Sequence, residues 1–127
     1  GFLGEIITSK FLKSKLSNTY DYDIIHNNLK IDVKTKRVTT PPKDWYECSI
    51  ASLNTKQLCD MYIFTRVLKD MTKGWLLGYI NKKDYFNEAV LLKKGHIDPS
   101  NNWKVLTDCY NLPINKLNSI EDLINEA

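Results

Sequence analysis

The segment MYIFTRVL, residues 61–68, constrains the fold more than any other part of the chain. Apart from Thr65 and Arg66 it is apolar throughout. A strand wetted on one side alternates, whereas a near-continuous run marks a strand covered on both faces. Such a strand needs a layer above it and a layer below it. With 127 residues the chain can build one core of that kind, so 1–127 reads as a single domain.

The rest of the pattern supplies the layers. Phe2, Leu3, Ile6, Ile7, Phe11, Leu12 and Leu16 recur at helical spacing and predict an amphipathic helix over 2–17, ended by Asn18 and Thr19. Two β-rich segments, YDYDIIHN and LKIDVKTKRV, flank Asn27 and Asn28, which tolerate the left-handed backbone of a tight hairpin. TTPPKD breaks the second, because proline removes a ladder donor. WYECSIAS reads as a strand, LNTKQLCD as a short helix capped by Asn54, and WLLGYI as a strand after the KDMTKG turn. NKKDYFNEAVLLKKG predicts a helix closed by Gly95, and WKVLTDCYNLP a last edge strand. SIEDLINEA reads as a terminal helix with Ser119 as cap and Asp122 in its first turn. The expected class is α/β, with four or five mainly antiparallel strands between flanking helices.

Composition narrows the function classes. No apolar run approaches the roughly 18–20 residues of a membrane span, so no membrane partner is expected. GFLGEIITSKFLKSKL is interrupted by Glu5, Lys10 and Lys13 and does not read as a secretory leader; a cytoplasmic setting is expected. The chain starts directly at the predicted first helix, which leaves a longer parent protein open. Cys48, Cys59 and Cys109 are odd in number and lack CxxC spacing, as expected of free thiols in a reducing compartment. A net charge of +3 permits a nucleic-acid partner without requiring one. Arg37 and Arg66 are the only arginines among many lysines and asparagines, a bias that points to an AT-rich genome such as that of a phage or mobile element. The chain lacks the phosphate loop G-x-x-x-x-G-K-[ST], the dinucleotide motif G-x-G-x-x-G and the nucleophile elbow G-x-S-x-G. Nucleotide-driven motors, dinucleotide enzymes and hydrolases of the elbow type are thereby disfavoured.

The hairpin DYDIIHNNLKIDVKTK carries the chemistry worth weighing. Side chains alternate along a strand, so Asp21 shares a face with Asp23, and Asp32 with Lys34. A turn centred on Asn27 and Asn28 sets Asp23 across from Asp32 and Asp21 across from Lys34. Facing carboxylates repel unless one is protonated or a cation lies between them. Mg²⁺ suits such a pair, and a nearby lysine can stabilise charge on an attacked phosphate. The competing reading is a charged face turned to water, and a one-residue slip of register would separate the two acids.

These residues resemble the PD-(D/E)XK nuclease superfamily, the fold of restriction endonucleases and Holliday-junction resolvases. Its signature is an acid opening one strand, a short hairpin, then acid-x-Lys on the next. YDII supplies Asp23, and IDVK supplies Asp32, Val33 and Lys34. Many members also carry a glutamate on the first helix, matched here by Glu5 in GFLGEII. The resemblance covers about the first 70 residues, through WYECSIAS, LNTKQLCD and MYIFTRV, with Gln57 at a position that is polar in some families. It departs in having no proline before the first acid and Asp32 in place of the commoner glutamate.

The resemblance implies a restriction endonuclease-like α/β/α sandwich around a central mixed, largely antiparallel four- to five-stranded sheet. It implies a deoxyribonuclease that hydrolyses DNA phosphodiester bonds with Mg²⁺ or Mn²⁺. Asp23, Asp32 and the Val33 carbonyl would bind the metal, with Glu5 completing the site or holding a second ion. Lys34 would orient the attacking water. Many relatives cut as homodimers. A nuclease-fold domain that binds nucleic acid or a protein partner without cleaving is the alternative reading.

Other residues carry weaker signals. Spacing favours Asp23 over Asp21 as the motif acid. Lys36 and Arg37 extend the lysine strand as candidate phosphate contacts, and Glu47 would add a ligand only if it faced Lys34. His26 and His96 lack partner ligands and read as surface residues. Trp45, Trp75 and Trp103 could stack on bases, with core packing the better expectation for most of them. Lys69, Lys73, Lys82, Lys83, Lys93 and Lys94 read either as a basic rim or as a solubilising surface.

Overall fold

The computed structural model describes residues 2–17, 19–98 and 102–125, apart from the side chains of Trp103 and Asn125. In chain order its elements are α1 (Phe2–Leu12), β1 (Ile24–His26), β2 (Leu29–Val38), β3 (Glu47–Ala51), a 3₁₀ turn (Ser52–Asn54), β4 (Met61–Leu68) and β5 (Gly74–Asn81). There follow α2 (Lys82–Glu88), β6 (Val90–Leu92), β7 (Ile97–Asp98), β8 (Trp103–Lys104), β9 (Cys109–Pro113), a second 3₁₀ turn (Ile114–Lys116) and α3 (Asp122–Asn125). The chain is α/β. A four-stranded mixed sheet, β1-β2-β4-β5, is joined by a three-stranded sheet, β3-β9-β6, and a β7-β8 pair. Among the described residues, no helix is long and apolar enough to cross a membrane.

MYIFTRVL is the inner strand β4, and its first seven residues are buried. It runs parallel to β2 and antiparallel to β5. One face of the sheet, through Ile31, Val33, Met61 and Ile63, packs on Leu12 of α1 and Leu123 of α3. The other, through Tyr62, Phe64 and Ile80, packs on Cys48, Ile50 and Leu112 of the small sheet and Tyr85 of α2. The core is thus two apolar layers either side of one sheet, as the both-faces-buried strand demands. The second layer is mainly sheet, where the sequence predicts helices. β3 leaves the four-stranded sheet to pair with β9, and β9 lies in the middle of its own sheet rather than at an edge.

Three element boundaries differ from the sequence-based expectation. α1 stops at Leu12 because Lys13 takes a left-handed conformation (φ 55°) and Ser14 N donates back to Ser9 O, closing the helix end. The expected stop at Asn18 lies outside the described residues. Leu16, whose spacing fitted the helix, instead forms an extended bridge with Ile24. The helix expected over LNTKQLCD shrinks to one 3₁₀ turn that includes Asn54, so Asn54 caps nothing. The helix expected to run to Gly95 ends at Glu88, and Val90–Leu92 pairs with β9. Apolar Val90, Leu91 and Leu92 satisfy either period, and the strand partner decides. Gly95 sits in a turn with φ 90°.

Two features position the site. Asn27 and Asn28 have φ of 49° and 66°, the turn that holds β1 and β2 in the register Ile24↔Ile31. At Gly4, a Cβ would overlap Thr35 Oγ1 and Thr65 Oγ1, so α1 lies directly on β2 and β4. Thr8, fully buried on the same face of α1, spends its hydroxyl on Gly4 O at 2.8 Å. The sheet margins are clipped as well: Tyr79 and Asn118 exchange two backbone hydrogen bonds at β5, as Leu16 bridges Ile24 at β1.

Candidate active site

The ladder of the hairpin ends at Ile24↔Ile31, and just beyond it the carboxyls of Asp23 and Asp32 come into contact. Asp23 N donates to Ile31 O at 2.8 Å, and Asp23 Oδ2 accepts the Val33 amide at 2.7 Å. An extended residue turns its N–H and C=O to the same side, so the Val33 carbonyl faces the Asp23 side of β2. Asp32 is 4% exposed and pairs in register with buried Tyr62 of β4. Lys34 Nζ stands 2.8 Å from Asp32 Oδ2. That approach is off the hydrogen-bond axis, and the buried Oδ2 carries no hydrogen bond of acceptable geometry.

Glu5 reaches this pair from α1. Its carboxyl contacts that of Asp23, and Asp23 contacts Asp32. Burial, then the Glu5 contact, pushes the Asp23 carboxyl up to about 6. Burial likewise raises Asp32 to about 6, against the opposing pull of Lys34. Two facing acids held this far above their usual range are what a site short of positive charge looks like. Glu5, Asp23, Asp32 and Lys34 therefore form one chain of contacts.

Lys34 is held by a residue whose role the sequence leaves open. Gln57 Oε1 accepts from Lys34 Nζ at 2.9 Å, while Gln57 Nε2 donates to Tyr20 O at 2.7 Å. Lys82 Nζ donates to Gln57 O. Gln57 is buried on the segment that returns from the small sheet to β4, so the crossover delivers it to the lysine. The pairing of β3 with distant β9 and the bonds to Tyr20, Asp21 and Lys82 fix where that return falls.

The other candidates are dispersed. Asp21 Oδ1 accepts the Leu58 amide at 3.0 Å and pins the same returning segment, away from the facing pair. Lys36 lies on the Lys34 face of β2 and is exposed, whereas Arg37 alternates to the α1 side. Glu47 is half-buried near Lys36, Arg66 and Asp98, and burial raises its carboxyl. His26 is no free surface residue: its Nδ1 lies 2.7 Å from Ser14 Oγ and its Nε2 3.2 Å from Leu123 O. His96 is exposed.

Of the tryptophans, Trp45 is 55% exposed and Trp75 half-buried under the Lys73 ammonium, while the Trp103 side chain lies outside the described residues. The aromatic core is instead Tyr62, Phe64, Tyr85 and Phe86. Lys93 pairs with Asp108 at 3.5 Å at an exposed position. All three cysteines are free, and burial pushes the Cys48 thiol up to about 12, which keeps it unreactive.

A divalent cation fits the donor set on two counts. Asp32 Oδ2 is a buried oxygen whose close partner is the Lys34 ammonium at 2.8 Å, and the Asp23 and Asp32 carboxyls, both with raised proton affinity, meet there. Among the described residues, no three His, Cys, Asp or Glu side chains are already gathered at ligating positions. Two carboxylates plus a backbone carbonyl are a set that suits Mg²⁺, which keeps several waters. No protein-family model matches the sequence, and a search of curated proteins finds no match.

Proposed function

We propose that this chain is a divalent-metal-dependent endonuclease of the PD-(D/E)XK type, with a restriction endonuclease-like fold, hydrolysing DNA phosphodiester bonds. The observation that carries the reading is the contact chain Glu5–Asp23–Asp32–Lys34, in which two largely buried carboxyls with raised proton affinity meet. The four-stranded mixed sheet with α1 laid on one face supports the fold assignment.

Asp23, Asp32 and the Val33 carbonyl would hold Mg²⁺ or Mn²⁺, with Glu5 behind Asp23. When bound, the ion would neutralise charge on the phosphate and acidify a water. Lys34, oriented by Gln57, directs its ammonium at the attacking water and offsets charge that builds on the phosphate oxygens. Gln57 keeps that ammonium from collapsing wholly onto Asp32.

The test is cleavage of branched, duplex and single-stranded DNA with Mg²⁺, Mn²⁺ or EDTA, beside Asp32→Ala and Lys34→Ala. Wild type should cut at least one substrate with metal and none in EDTA, and each variant should lose about 10²-fold or more. Cutting that survives EDTA or either substitution defeats the reading. Binding without cutting supports the second reading, a nuclease-fold domain that only binds, which draws on the ungathered third acid.

A further inference from the structure

Beyond Lys34 the same face of the sheet opens into a recess that the proposed chemistry does not use. A cavity of about 290 Å³ runs along Lys34, Lys36 and Arg66. Lys36 and Arg66 also line a second cavity of about 400 Å³, walled by Arg37, Lys69, Trp45 and Tyr46. Three cations, Lys36, Arg66 and Lys69, thus meet two aromatic rings, with Glu47 as the acid of the recess and the Arg37 side chain alternating toward α1. Its volume is that of a small-molecule site and cannot admit a duplex.

Arg66 is the unusual group. It is 5% exposed, its guanidinium lies 5.1 Å from the Tyr46 ring centroid, and Nη2 donates to Glu47 O at 2.9 Å. Among the described residues it forms no ion pair with a carboxylate. A guanidinium has five N–H donors, so the backbone contact leaves most of them for an incoming acceptor. Lys36 sits beside it in register across β2 and β4, and partial burial of its ammonium, then the nearby Arg66, lowers its proton affinity against the opposing pull of Asp98 and Glu47. Two adjacent cations, with Glu47 and Asp98 nearby but neither carboxylate in an ion pair with Arg66, leave guanidinium donors for an anion. Trp45, edge-on to Tyr46 with centroids 5.8 Å apart, keeps 55% of its surface exposed, with the Lys43 ammonium 5.0 Å from its ring centroid.

We infer that this recess binds one unpaired nucleotide of the DNA strand whose scissile phosphate lies at Lys34, with the next phosphate on Lys36 and Arg66 and the base against Trp45. The inference rests on the nuclease reading and narrows its substrate to DNA with a single-stranded segment next to the cut. The step from Lys34 to Lys36, about 6.6 Å along an extended strand, suits successive phosphates of a stretched chain. A base stacked inside a duplex cannot offer its face to the indole, and an unpaired one can.

The test uses the full chain in EDTA, where no cutting occurs, and reads fluorescence anisotropy of labelled DNA. A duplex with a single-stranded tail should bind about tenfold more tightly than the blunt duplex. Trp45→Ala, at an exposed position, should remove most of that preference, as should abasic residues in the tail, which keep the phosphates. Arg66→Lys, checked for an unchanged thermal midpoint, should weaken tailed and abasic DNA alike. Equal binding of tailed and blunt DNA, or a preference untouched by Trp45→Ala or by abasic residues, overturns the inference. Cleavage in Mg²⁺ is scored in parallel. Cutting without tail preference defeats the recess alone, and tail preference without cutting defeats the nuclease reading alone.

Discussion

Tyr62 and Tyr85 are both fully buried, yet their hydroxyls are in opposite situations. Tyr85 Oη donates toward Cys48 O at 2.8 Å and lies 3.0 Å from Tyr110 O, tying α2 to both β3 and β9. Tyr62 Oη is buried beside Cys59 with no hydrogen bond of good geometry. Tyr85→Phe should therefore cost about 1–2 kcal/mol, and Tyr62→Phe should be neutral or slightly stabilising, as read by urea denaturation. The same scale holds Lys34, the lysine of the proposed site. Gln57→Ala removes the acceptor opposite Asp32, and we expect kcat to fall about tenfold with KM little changed, because Gln57 touches Lys34 rather than DNA. A parallel fall in binding would show Gln57 to be structural only. The facing acids and Lys34 were legible in the sequence because a two-residue turn converts spacing into register. Gln57 and Arg66 were not, since their neighbours come from segments far along the chain.

Among the elements, the hairpin and α1 decide whether the four residues meet. Asn28 has φ 66°, where a Cβ without a polar partner is strained. Asn28→Ala should destabilise the protein by about 1 kcal/mol, and Asn28→Gly should leave it unchanged or more stable, both measured by thermal midpoint. Gly4→Val should cost more, about 1–3 kcal/mol, by pushing α1 off Thr35 and Thr65, and it should lower cleavage because Glu5 rides on that helix. Element types read well where one period dominated, as in β2, β4 and β5. They failed at Leu16 and at Val90–Leu92, where apolar spacing fits both a helix and a strand and a remote partner makes the choice. The small sheet escaped the sequence for the same reason: Glu47↔Pro113 through Ala51↔Cys109 is a pairing across about half the chain.

For the whole molecule, the raised carboxyls make stability depend on pH. Asp23 and Asp32 titrate near 6 when folded, against 3.8 for an unperturbed aspartate. The folded state therefore holds extra protons, and the stability they confer is complete below the unfolded value and lost as pH rises through the folded one. In EDTA the thermal midpoint should fall on the order of 5 °C between acidic and neutral pH. Mg²⁺ should restore it at neutral pH in wild type and not in Asp32→Asn. A midpoint that is flat with pH in EDTA would contradict the burial of the pair. The clips at the sheet margins bear on how two copies could cut both strands of DNA. Asn118 occupies the middle of the β5 edge and Leu16 the approach to β1. A second copy cannot zip its own strand along β5 without evicting Asn118, so a dimer built at this margin must dock side chain to side chain. Its geometry would then be set by surface residues that can vary without disturbing the sheet.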